Sequence, residues 1–131
     1  MTANTNPIFT LTPNALPITI STANTARDGT GTLGTVLTAG ANGTRVEAIK
    51  ITAQGTTTAG VIRIFITDAA GANPKLFEER LVTAITPSTT VKVFEDFWVL
   101  DLPITLASGQ LIKAGTHNAE SFTVHPVAGD F

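Results

Sequence analysis

The sequence predicts an all-β chain, an antiparallel β-sandwich of jelly-roll-like type with about eight or nine short strands. Three observations predict it. Short runs rich in Val, Ile and Thr recur along the chain, separated by Gly, Pro and Asn. Thr alone makes up roughly a fifth of the residues, and its β-branched side chain suits a pleated surface. No stretch has the length and 3.6-residue periodicity of a convincing helix.

Residues 1–15 read as an extended N-terminal arm, and residues 16–131 as a single β-sandwich domain. Pro7, Pro13 and Pro17 oppose helix in the arm. A short β piece at Ile8-Phe9-Thr10-Leu11 gives the arm an apolar tip, which either docks on its own domain or reaches a neighbour. The first strand is Leu16 to Ile20, with Ile18 and Ile20 on one face. A Gly-rich loop leads to Thr35–Thr38, and Asn42-Gly43 marks a hairpin turn. In the strand Thr44 to Ala53, Val46 and Ala48 are in phase, and Ile49, Ile51 and Ala53 then take the opposite phase. That slip signals a bulge or a strand buried on both faces. Val61 to Thr67 alternates clearly, with Ile62, Ile64 and Ile66 on one face.

Residues 75–84 fit a short helix or a strand; strand is preferred because the run is short and its neighbours are strands. Val91 to Asp101 is a long strand with apolar residues on both faces. Val91, Val93, Phe97 and Val99 share one face; Phe94, Trp98 and Leu100 share the other. Such a strand is either covered on both sides or presents one side to another subunit. The candidate interface residues are therefore Phe9, Leu11, Phe94, Trp98 and Leu100. Two short strands are expected around Ser108-Gly109, and the last strand spans Ser121 to His125, ending before Pro126.

Composition excludes several function classes. The chain has no cysteine, which removes disulfides and thiolate metal sites. Charged residues are only 14% of the chain, net charge is -2, and the basic residues are scattered singly. A nucleic-acid partner would call for a basic stripe, so none is expected. No apolar run approaches the roughly 20 residues of a membrane helix, and no membrane partner is expected. The N-terminus lacks the basic and apolar regions of a secretory signal, which predicts a chain made in the cytoplasm and not secreted.

Catalytic and ligand motifs fail in the same way. Gly29-Thr-Gly31-Thr-Leu-Gly34 matches the dinucleotide fingerprint in letters, yet Thr35-Val36-Leu37 follows where that motif needs a helix N-terminus. His117, Glu120 and His125 supply the atom types of an acid–base or metal site, but without a recognised spacing. Glu78 and Glu79 point to opposite faces of a strand and cannot share a substrate. Asp68 and Asn73 lack the acidic density of a calcium loop. Asn42-Gly43-Thr44 is a glycosylation sequon that reads as a turn. The sequence thus predicts no enzyme and no cofactor.

Four stretches carry a resemblance: Thr25 to Arg45, Gly55 to Gly60, Thr116 to Glu120, and Gly129-Asp130-Phe131. Together they make the chain, from about residue 25 to its end, resemble small virion structural proteins of tailed bacteriophages and prophages, of the capsid decoration type. The resemblance implies a virion component that packs as a homo-oligomer, a trimer being favoured, and binds a major capsid protein or another virion protein. A second reading is a carbohydrate- or receptor-binding sandwich on a phage tail or head fibre, with Trp98 as its aromatic platform. The resembling stretches are turns and loops, and none is a catalytic or binding motif.

Overall fold

A computed structural model describes residues 9–131; Pro7 and Ile8 of the expected arm lie outside the described residues. Among these residues the chain forms nine strands and no helix. They are β1 (Thr12–Pro13), β2 (Ile18–Ile20), β3 (Gly34–Thr38), β4 (Thr44–Ala53), β5 (Gly60–Ile66), β6 (Lys75–Val82), β7 (Glu95–Leu106), β8 (Leu111–Thr116) and β9 (Phe122–Asp130). Residues 75–82 are thus strand, as preferred from the sequence.

The strands form two antiparallel sheets. In sheet 1 the order is β1–β9–β4–β7, with β2 also pairing β9. In sheet 2 it is β3–β8–β5–β6. From β2 onward the orders 2-9-4-7 and 3-8-5-6 describe an eight-stranded jelly roll. Only the β5–β6 hairpin joins sequential neighbours within one sheet. Every other connection from β2 to β9 crosses between sheets.

The core lies between the sheets. Val46, Ile49 and Ile51 of β4 meet Ile62 and Ile64 of β5, with Ile112, Phe122 and Val124, all nearly or fully inaccessible. Burying each such side chain contributes about 1.5–3 kcal/mol. The phase slip in β4 is a bulge at Glu47: pairing with both β7 and β9 shifts between Val46 and Ala48. It lets Val46 and Ile49 both point inward and turns Ala48 to the outer face.

Two strands run further than the sequence suggested. β7 starts at Glu95 and continues through Pro103 to Leu106. Between the pairs Ala48–Val99 and Val46–Ile104, β7 bulges out through residues 100–103, so Pro103 sits where no ladder donor is required. β9 continues past Pro126 to Asp130. On the side away from β4, β9 has no strand partner between Val124 and Gly129, so the missing Pro126 N–H leaves no gap there.

The described part of the arm docks on its own chain. Thr12 and Pro13 pair with Asp130 and Gly129. The Leu11 N–H donates to the Asp130 carbonyl at 2.7 Å, and the Asn14 N–H to the Ala128 carbonyl at 2.9 Å. The Asn14 amide also donates to the Asp130 carboxylate, which accepts a second hydrogen bond from the Thr44 hydroxyl.

Candidate assembly surfaces

The groups that suggested chemistry are occupied in holding loops. Glu120 Oε1 accepts both the Thr58 N–H (2.9 Å) and the Thr58 hydroxyl (2.6 Å). Asn118 Nδ2 donates to Thr58 Oγ1 and to the Ala59 carbonyl. These bonds tie the β8–β9 loop to the β4–β5 loop and leave His117 Nδ1 and Glu120 Oε2 buried without partners. His125 stands elsewhere, on β9 opposite Lys50. Among the described residues no three His, Asp or Glu side chains gather as a metal site would need. Asp68 accepts the N–H groups of Ala70 and Ala72 and the Asn73 amide. Those bonds, the Ala72 N–H foremost, hold its pKa below the usual carboxylate value.

The Gly29–Gly34 motif spans the end of the β2–β3 connection, residues 21–33, which lies over the outer face of sheet 2, and the first residue of β3. Ala23 bridges Thr116, and the Asn24 N–H donates to the Thr116 carbonyl at 2.8 Å. The Asn24 side chain donates to the carbonyls of Thr30 (2.9 Å) and Thr32 (3.0 Å) and accepts the Ala26 N–H. Gly29 and Gly31 take φ of 88° and 82°, and a side chain on Gly29 would strike the Pro74 carbonyl. Glu79 of β6 fastens the segment, pairing with exposed Arg27 (2.9 Å) and with buried Arg63 of β5 (3.5 Å). Arg63 also donates to the Asn24 carbonyl. Phe65, two residues along β5, shares this outer face and is fully buried.

The outer face of sheet 1 has no such cover among the described residues. Its ladder rows are Val127–Ala48–Val99 and His125–Lys50–Phe97. Phe97 is 54% exposed, Val99 62% and Val127 36%; Leu102, on the β7 bulge, is 81% exposed. Their apolar surface runs toward a shallow groove of about 250 Å³ between the arm and β4, lined by Leu11, Pro13, Arg45, Glu47 and Val127. The charges here are paired with each other: Arg45 with Glu47, and both Lys50 and Lys92 with Glu95.

The five candidate interface residues are divided by the structure. Phe9 and Leu11 are strongly exposed. Phe94, Trp98 and Leu100 are buried in the chain's own core, and so are not available to a partner. Trp98 faces inward under Phe77, with ring centroids 5.9 Å apart, and under the Arg80 guanidinium at 5.5 Å. Arg80 also pairs with Asp96 at 2.7 Å, closing the margin where β6 and β7 end their sheets. The exposed face of β7 is the other one, carrying Phe97 and Val99. Alternation shows that a strand has two apolar faces, but only pairing with β4 decides which of them turns inward.

No protein-family model matches the chain, and no curated protein matches it. Among solved structures, it is similar to a pentameric capsid protein isolated from metagenomic phage sequences. Identity is 18% and the TM-score 0.48, over 94% of this chain and 64% of that one. A second structure of a pentameric capsid protein from metagenomic phage sequences, solved by iodide phasing, gives 20% identity and a TM-score of 0.44, over 94% and 71%. The chain thus spans under two thirds of the first protein's length. Identities and scores this low say nothing of function or assembly.

Proposed function

We propose that the chain is a virion structural protein, a capsid decoration subunit that packs against copies of itself and binds a shell built by a major capsid protein. The observation that carries this reading is the outer face of sheet 1, left bare among the described residues. Phe97, Val99, Leu102, Val127 and Leu11 expose apolar surface in a domain that closes Arg63 and Phe65 on the outer face of its other sheet off from water. Apolar surface gathered in this way marks association surfaces. The charges around it are mixed in sign, Arg45 beside Glu47 and Lys50 and Lys92 sharing Glu95, so the face carries no strong field of one sign against a second copy. The jelly roll also recurs in viral capsid domains, although lectins and cupins share it. The carbohydrate-binding reading loses its platform, because Trp98 is only 9% exposed and lies under Phe77 and Arg80.

Multi-angle light scattering tests the proposal. The native chain is expected as an oligomer, with a trimer favoured by the family resemblance. The double variant Phe97→Lys, Val99→Lys is expected to be monomeric with an unfolding midpoint close to the parent's. A native chain that stays monomeric at high concentration and fails to sediment with capsids overturns the proposal.

A further inference from the structure

We infer that the groove between the arm and β4 receives the N-terminal segment of a second copy, the residues up to and including Phe9. The inference rests on the self-assembly reading above and names the joint through which it acts.

One wall of the groove is the chain's own arm, and it is firmly set. The Leu11 and Asn14 N–H groups are bonded to β9, and Asn14 also reaches the Thr38 carbonyl. Thr10 lies directly on Gly129, where a Cβ would stand 2.7 Å from the Thr10 side chain. Only glycine lets the arm lie so flat on the sheet. The chain leaves this wall at Phe9, which is 78% exposed, while Leu11 beside the groove is 82% exposed. Two large apolar side chains therefore stand in water next to an unfilled groove whose floor includes Val127.

Phe9 is joined directly to Thr10 of the wall, so entering its own groove would require a reversal within one residue. A segment arriving from another copy meets no such constraint. Eight residues precede Phe9, an extended reach of about 26–29 Å. The two strand spacings from β9 to β7 amount to only about 10 Å. The segment Met1 to Ile8 has no charged side chain. It can therefore lie against the paired Arg45 and Glu47 without burying an uncompensated side-chain charge. Ile8 and Phe9 of one copy supply the apolar surface that Leu11, Pro13 and Val127 of the other lack.

The absence of native cysteine makes the test clean. Copies carrying only Phe9→Cys are mixed with copies carrying only Glu47→Cys, an exposed bulge position, and oxidised mildly. A Thr90→Cys copy, altered in the exposed β6–β7 connection, sets the collision background. The expected result is a mixed disulfide between the first two, about tenfold above that background, because assembly raises the local concentration of the pair. Light scattering is run alongside. Association without the mixed disulfide overturns this inference and leaves the assembly reading standing. Absence of association overturns both. A double Phe9→Cys, Glu47→Cys chain that forms only an internal disulfide shows the segment in its own groove, and that also overturns the inference.

Discussion

The centres of the two outer faces of the sandwich are treated in opposite ways, although Leu81 on the β6 edge of sheet 2 is exposed. On sheet 2, the residues 21–33 segment lies across the strands, and Phe65 and Arg63 are closed off from water. On sheet 1, Phe97 and Val99 occupy the corresponding exterior and stay wet. Composition does not explain the difference, since both faces carry an aromatic residue and ion pairs. Connectivity does. The β2–β3 connection is long enough to lie back over its sheet, whereas among the described residues sheet 1 is given only the short arm at the β9 edge. A side chain on the first face contributes to folding; one on the second is left to contribute to association.

The sharpest break of this comparison is a pair of phenylalanine truncations. Phe65→Ala is expected to lower unfolding free energy by about 3–5 kcal/mol, while Phe97→Ala changes the stability of the isolated chain by less than about 0.5 kcal/mol. Urea denaturation at concentrations that keep the chain monomeric measures both, and equal losses would end the distinction between the faces. A smaller effect is expected at Asn24, whose amide holds two carbonyls of the covering segment. Asn24→Ala should cost about 1–3 kcal/mol and raise amide exchange in residues 21–33 before any in sheet 1.

Acid supplies the mildest probe. The Glu79 pKa is lowered, first by the hydrogen bond from Arg27, and that of Asp28 by the Thr30 hydroxyl; Asp68 is lowered as well. A carboxylate with a depressed folded pKa binds protons more readily in the unfolded chain. Its contribution is therefore full above the ordinary carboxylate pKa of about 4 and is lost as pH falls through the lowered value. All three groups belong to sheet 2 or its loops. The melting temperature should hold between neutral pH and about 5, then fall below about 4, with a shallower fall for Glu79→Gln. A decline already under way above pH 5 would show other groups in control.

Much of the fold was legible in the residues because strand signals are local. The break in phase within Thr44–Ala53 fitted a bulge or a doubly buried strand, and the structure has a bulge at Glu47, before Ala48 rather than after it; the short run at 75–82 formed the strand preferred for it. Pro103 and Pro126 misled because proline is a local signal with a non-local exemption. One sits in a bulge, and the other faces a stretch where β9 has no neighbour. The side of β7 that turns inward was not legible either. Phe94–Trp98–Leu100 and Phe97–Val99 are equally apolar, and only the opposing Ile49 and Ile51 settle the choice. The segment over sheet 2 escaped for a related reason. Its glycines match a dinucleotide fingerprint in letters alone and read as a loop, which does not tell that they serve close approach to Pro74 and Asn24.

The strand order also governs how the chain reaches this state. β5 and β6 form the single hairpin between sequential strands of one sheet, so one pairing can nucleate locally. β9 is the last made of the nine strands, yet it lies inside sheet 1, between β4 on one side and β2 and β1 on the other. Sheet 1 therefore stays open on the ribosome until residues 122–130 have emerged. Closure of the sandwich waits for β9 and is slow, in the range of milliseconds to seconds typical of non-local β-topologies.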